Sequence, residues 1–166
     1  MKRFILFIVM SLMMLPTVQA QALDNDSNNI TVITSPGAYD DGFNIGVQYE
    51  HQWNLPYVGV EVFYFPDLHD ITYTHLLGRF GVGQEYGNPV GWKYRWNVGF
   101  RGGRIFRDGY SGPHALLGLE VGAQVTLPFG LYGKLVYGMD KKSDSAIWGE
   151  DSHTVDSVFA GVGLRF

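Results

Sequence analysis

From Asn29 onward the chain alternates apolar and polar residues with a period of two, in segments that recur every 12 to 16 residues, and helical periodicity is essentially absent. That pattern restricts the fold to sheets in which each strand shows one apolar and one polar face. Gly42 to Trp53 is the clearest case. Phe43, Ile45, Val47, Tyr49, His51 and Trp53 fall on one face, and Asn44, Gly46, Gln48, Glu50 and Gln52 on the other. Gly91 to Arg101 repeats it, with Trp92, Tyr94, Trp96, Val98 and Phe100 opposed to Lys93, Arg95, Asn97 and Arg101.

Four more segments follow the same rule. Tyr57 to Phe65 sets Val58, Val60, Val62 and Tyr64 against Gly59 and Glu61; His114 to Leu127 sets Leu117, Leu119, Val121, Ala123 and Val125 against Gly118, Glu120, Gly122 and Gln124. Gly130 to Met139 places Leu131, Leu135 and Tyr137 opposite Tyr132 and Lys134, and Val155 to Phe166 places Val158, Ala160, Val162, Leu164 and Phe166 opposite Gly161, Gly163 and Arg165. Asp70 to Gly83 is ambiguous in phase. Putting Leu76, Phe80 and Val82 on the apolar face sends Arg79 to the polar one, the cheaper arrangement beside lipid. Asn29 to Thr34 is short and completes a set of eight.

The segment before Asn29 reads as an address. Lys2 and Arg3 precede an apolar stretch from Phe4 to Leu15, and Val18-Gln19-Ala20 has the small-residue pattern of a cleavage site. The run is roughly 12 residues, where a spanning helix needs about 20, so a signal peptide over residues 1–20 is expected rather than a membrane anchor. Residues 21–28 then form a short periplasmic segment and 29–166 the barrel. An exported chain with no cysteine cannot rely on disulfides, and a closed hydrogen-bonded barrel supplies the needed constraint. Without Lys2 and Arg3 the chain carries 10 Lys and Arg against 16 Asp and Glu, which argues against nucleic acid as a partner.

Alternation does not say which face meets the core. A secreted lipocalin-like barrel would bury the apolar rows and bind a small ligand there; a membrane barrel would turn them to lipid. Three features favour lipid. The polar rows are rich in glycine (Gly46, Gly59, Gly118, Gly122, Gly161, Gly163), which suits a crowded lumen. The apolar rows carry Tyr49, Trp53, Tyr64, Trp92, Tyr94 and Tyr137 near strand ends, as an interfacial girdle does. The last residue, Phe166, is also the last apolar residue of a strand.

That strand, Val158-Phe159-Ala160-Gly161-Val162-Gly163-Leu164-Arg165-Phe166, resembles the C-terminal insertion signal of bacterial outer-membrane barrels, with Val158, Val162, Leu164 and Phe166 as its apolar positions. Gly42-Phe43-Asn44-Ile45-Gly46-Val47-Gln48-Tyr49-Glu50 resembles a second-strand pattern of the outer membrane protein X and Ail/Lom family. The resemblance implies an all-β, antiparallel, up-and-down eight-stranded transmembrane barrel in the outer membrane, with lipid and the barrel-assembly machinery as partners. The outer connections expected here (35–41, 66–69, 107–113, 140–154) are shorter than that family's protruding loops, apart from the last, so only a general surface contact is expected of them. The periplasmic turns would be Asn54-Leu55-Pro56, Gln84 to Pro89 and Leu127 to Gly130.

The inward rows would gather Glu50, Glu61 and Glu120 with Lys93, Arg95, Arg101, Lys134 and Arg165. Buried charges in such numbers must pair, so a salt-bridged core that fills the lumen is expected before a polar conduit or a ligand pocket. Enzymatic chemistry finds little support. His69-Asp70 and Glu150-Asp151-Ser152-His153 lie in or beside outer loops, and Ser152 next to His153 is a poor nucleophile and base pair. The histidines (His51, His69, His75, His114, His153) show no metal-binding spacing, and the acidic stretch from Asp140 to Asp151 lacks that of a calcium loop. No cofactor, metal or catalytic residue is therefore expected, a lipid-modifying enzyme being the alternative.

Overall fold

The structure, a computed structural model, describes residues 26–35, 43–68, 71–109, 114–142 and 153–166. The expected signal peptide, most of the connections expected at 35–41, 107–113 and 140–154, His69-Asp70 and Ser152 lie outside them, as does the side chain of His153. Eight strands form in chain order: β1 (Ser27–Thr34), β2 (Ile45–Gln52), β3 (Pro56–Leu68), β4 (Ile71–Gly87), β5 (Lys93–Arg107), β6 (His114–Thr126), β7 (Leu131–Lys142) and β8 (His153–Arg165). Each pairs antiparallel with the next, and β1 closes the barrel on β8 through the register Asn29↔Arg165 to Thr34↔Ala160.

Three tight connections lie at the end that also carries both ends of the described barrel, here the turn end. Trp53 N–H donates to Pro56 O at 2.9 Å across Asn54, which adopts a φ of 34°. The second turn is held by Asn88, whose N–H donates to Trp92 O at 3.2 Å and whose side chain accepts from Val90 N–H at 3.0 Å. In the third, Gly130 takes a φ of 86° that a residue with a side chain adopts only at a cost, and its N–H donates to Leu127 O at 3.0 Å. Phe166, one residue past β8, exchanges both backbone hydrogen bonds with Asn28, at 2.8 and 2.9 Å.

The strands outrun several expected boundaries. The first begins at Ser27 rather than Asn29. β4 continues through Glu85 to Gly87, so the expected turn over Gln84 to Pro89 shrinks to the residues around Asn88 to Gly91. β5 reaches Arg107 and β7 reaches Lys142, which moves Arg107 and Asp140 from expected loops into the sheet. β2 is shorter than expected, Ile45 to Gln52. The β3 to β4 register shifts between Phe65 and Leu68, where Pro66 removes a ladder donor.

Candidate functional site

The polarity of the barrel is inverted relative to a soluble one. Val60 is 53% exposed and Phe80 58%, while Arg79 is 2% and Glu50 1% exposed. Every strand contributes to this: the rows read as apolar, from Ile30 and Val32 on β1 to Val158, Val162, Leu164 and Phe166 at β8, face outward, and most of their residues are exposed. Tyr49, Trp53, Tyr64, Trp92 and Tyr94 also face outward, and His51 stacks edge-on against Trp53 with ring centroids 4.3 Å apart. The ambiguous phase of β4 resolves with Leu76, Phe80 and Val82 outside and Arg79 inside.

Inside, most of the charged residues form one connected network. Arg79 stands at its centre. Its Nη2 and Nε donate to the Glu120 carboxylate at 2.6 and 3.0 Å, its Nη1 donates to Glu50 at 3.2 Å, and its Nε lies 3.9 Å from Glu61. Glu50 accepts from Arg95 as well and from Lys134 Nζ at 3.2 Å, while Tyr57 Oη donates to Glu120 at 2.6 Å. Glu61 accepts from the Gln48 side chain and lies 3.9 Å from Arg101, which forms a two-pronged pair with Asp140, its Nε donating at 2.7 Å. Charged partners thus take up carboxylates whose burial alone would be prohibitive.

Of the charged residues expected in the lumen, Glu50, Glu61, Arg95, Arg101, Glu120 and Lys134 meet in this network. Lys93 and Arg165 stand apart from it, half-buried at the mouth of the turn end, where both pair with Glu85, Lys93 at 3.8 Å. Arg79 is expected on the inner face without a role, whereas Glu85 and Asp140, expected in connections, prove to be lumen residues, Asp140 in this network and Glu85 outside it. Alternation runs on to Met139-Asp140 but is interrupted before Glu85 by the polar Gln84 in the outer row, so the signal is weak at both strand ends and the charged partners, Arg101 and Arg165, decide the inward placement.

The expected salt-bridged core occupies the turn-end half of the lumen and does not extend to the loop-end half. There Ile33, Phe63, Phe65, Tyr73, Leu77, Ile105, Leu116, Val136 and Phe159 point inward and pack into a buried apolar cluster. Phe63 stacks on Phe65 at 5.2 Å and meets Phe159 edge-on at 5.5 Å, and the Arg101 guanidinium lies 4.3 Å from the Phe159 ring centroid. The Arg101–Asp140 pair therefore marks the seam between a charged layer and an apolar one. Among the described residues no group of His, Cys, Asp or Glu has the geometry to hold a metal ion.

The sequence matches no known family profile and no curated protein. Among solved structures, the N-terminal β-barrel domain of Pseudomonas aeruginosa OprF is 15% identical with a TM-score of 0.48, covering 88% of this chain and 100% of that one. Neisserial surface protein A (NspA) is 13% identical with a TM-score of 0.49, covering 85% of this chain and 96% of that one. At such identities no residue's role carries over.

Proposed function

We propose that this chain is an integral protein of the bacterial outer membrane, a closed and non-conducting barrel with a structural or surface-contact role and no enzymatic activity. The observation that carries the reading is the inverted polarity. An outward apolar band running around all eight strands far exceeds the few hundred Å² of contiguous apolar surface that a water-soluble monomer tolerates. Lipid on the outside takes that band out of water while the charged side chains pair within the lumen, and closure leaves no backbone donor or acceptor of an edge strand facing hydrocarbon.

The finer features follow the same reading. With the turn end in the periplasm, Phe166 and the outward row Val158, Val162 and Leu164 stand where an insertion signal is read by the barrel-assembly machinery, and the longer connections face the exterior. The likeness of Gly42 to Glu50 to the outer membrane protein X and Ail/Lom family supports a surface role through those connections. Lipid is the constant partner, and nucleic acid is not one.

The test is electrophoretic. Protein from outer-membrane fractions should migrate differently before and after boiling in detergent, because a closed barrel resists unfolding until heated. An unshifted protein in the soluble periplasmic fraction would overturn the assignment. Removing the chain from its host should leave the lipid A profile unchanged; a lost modification would make it an enzyme.

Closure of the lumen gives a second expected result. The Arg79 network and the apolar cluster above it occupy the lumen in two successive layers, and eight strands leave room for side chains only. Purified protein in planar bilayers should show no stepwise conductance. Discrete channel openings would remove the non-conducting part of the proposal.

A further inference from the structure

Among the described residues two cations break the outward apolar band, and they break it at one place. Arg104 on β5 and Lys141 on β7 face outward and are exposed, whereas Arg79, Arg95, Arg101, Arg107 and Lys134 are buried and Lys93 and Arg165 lie at the mouth of the lumen. Among the described residues neither Arg104 nor Lys141 has a carboxylate within ion-pair distance. Among the described side chains, the outward or exposed acids on this side are Asp108, beyond the end of β5, and Asp156 on β8, which accepts a hydrogen bond from the Tyr137 hydroxyl.

The register places these cations around a shallow apolar trough. Arg104 pairs with Leu76 and Ala115. In the row just toward the turn end, Val60, Gly78, Gly102, Leu117 and Lys141 follow one another across five strands. Gly78 and Gly102 carry no side chain, and a Cβ at Gly78 would meet nothing nearer than the Gly102 carbonyl oxygen at 3.9 Å. Val60 and the prominent Leu117 wall the dent, and Phe80 and Phe100, stacked at 5.4 Å, bound it one row farther toward the turn end. With strands about 4.8 Å apart, the Arg104 and Lys141 backbones stand roughly 12 Å from each other across β6, within joint reach of one headgroup.

We infer that this face of β4 to β7 is a binding site for a net-anionic, phosphate-bearing acylated lipid of the leaflet at the loop end. The inference rests on the membrane assignment above. Arg104 and Lys141 hold the phosphates at the edge of the band, their stems lying along apolar surface, and an acyl chain occupies the trough at Gly78 and Gly102. The trough decides for a lipid over a free anion, because a soluble phosphate gains nothing from an apolar dent beneath its cations. An isolated cation facing lipid otherwise costs free energy, and an anionic headgroup offsets that cost.

The test compares lipids retained by the full-length mature protein in native mass spectrometry, with lipid A and phosphatidylcholine offered together. The wild type should retain lipid A preferentially, and Arg104→Gln with Lys141→Gln should lower that retention about ten-fold, as for the loss of one or two charge-assisted hydrogen bonds. Gly78→Leu, which fills the trough and leaves both charges, should also lower it. Should either variant fail to fold, Arg104→Gln or Lys141→Gln alone should lower retention several-fold. Equal retention of phosphatidylcholine, or variants that bind as the wild type does, would overturn the site. Release of the lipid by excess inorganic phosphate would also overturn it, in favour of a soluble anion. The heat-dependent gel shift is read on the same samples, so that a protein lacking it fails the membrane assignment, whereas a shifted but unselective protein fails the lipid site alone.

Discussion

Replacing Arg79 by Met should destabilise the barrel by about 3–5 kcal/mol, the cost of leaving buried carboxylates without their partner. The Arg79 side chain is inaccessible to solvent and touches Glu50, Glu61 and Glu120. Glu50 would keep Arg95 and Lys134. Glu120 would keep only the Tyr57 hydroxyl, so most of the loss falls there. Methionine preserves much of the volume, which separates the charge effect from a cavity. Adding Glu120→Gln to Arg79→Met should recover a large part of the loss, because removing both charges is far less costly than removing one. The measurement is the denaturant midpoint of barrel refolded into vesicles. Val90→Met, in the exposed turn between β4 and β5, is the control and should stay within about 0.5 kcal/mol of wild type. An Arg79→Met midpoint equal to that of Val90→Met would mean that water, not protein, stabilises the carboxylates.

That network was half legible in the sequence, and the reason lies in how alternation encodes burial. Where one face is polar and the other apolar, as in Asn44 to Gln52 or Lys93 to Arg101, the period is plain and the inward charges can be read off directly. Arg79 could be assigned to the lumen because the alternative set it against lipid. The apolar layer was illegible for the opposite reason. Val62-Phe63-Tyr64-Phe65, Leu76-Leu77, Ile105-Phe106 and Leu116-Leu117 are apolar on both faces, so the contrast that marks the inner row vanishes where the lumen itself becomes apolar. Asp140 and Glu85 failed differently. Each sits near a strand end among turn-forming or charged residues, and its inward placement depends on Arg101 or Arg165, partners that pattern alone does not supply.

Gly81→Ala should remove roughly 2–3 kcal/mol although it adds one methyl group. Gly81 pairs directly with Gly99 across β4 and β5, and the buried Tyr57 ring lies over the two, its hydroxyl reaching on to Glu120. A Cβ at Gly81 would fall 2.6 Å from the Gly99 Cα and 2.8 Å from Tyr57 Cε1. The ring could swing aside. The β5 backbone cannot, because it is hydrogen-bonded to β4 and β6 along its whole length. Trimming the ring should therefore fail to rescue the variant, and Gly81→Ala with Tyr57→Ala should be less stable than Tyr57→Ala alone. Gly133 gives the comparison, since it faces outward and a Cβ there would meet nothing within 4 Å. Gly133→Ala should be neutral or slightly stabilising, as an alanine that fits the native backbone is expected to be. If unfolding midpoints place Gly81→Ala beside Gly133→Ala, the glycine pair under Tyr57 is a tolerance of the lumen rather than a requirement of the charged network built across it.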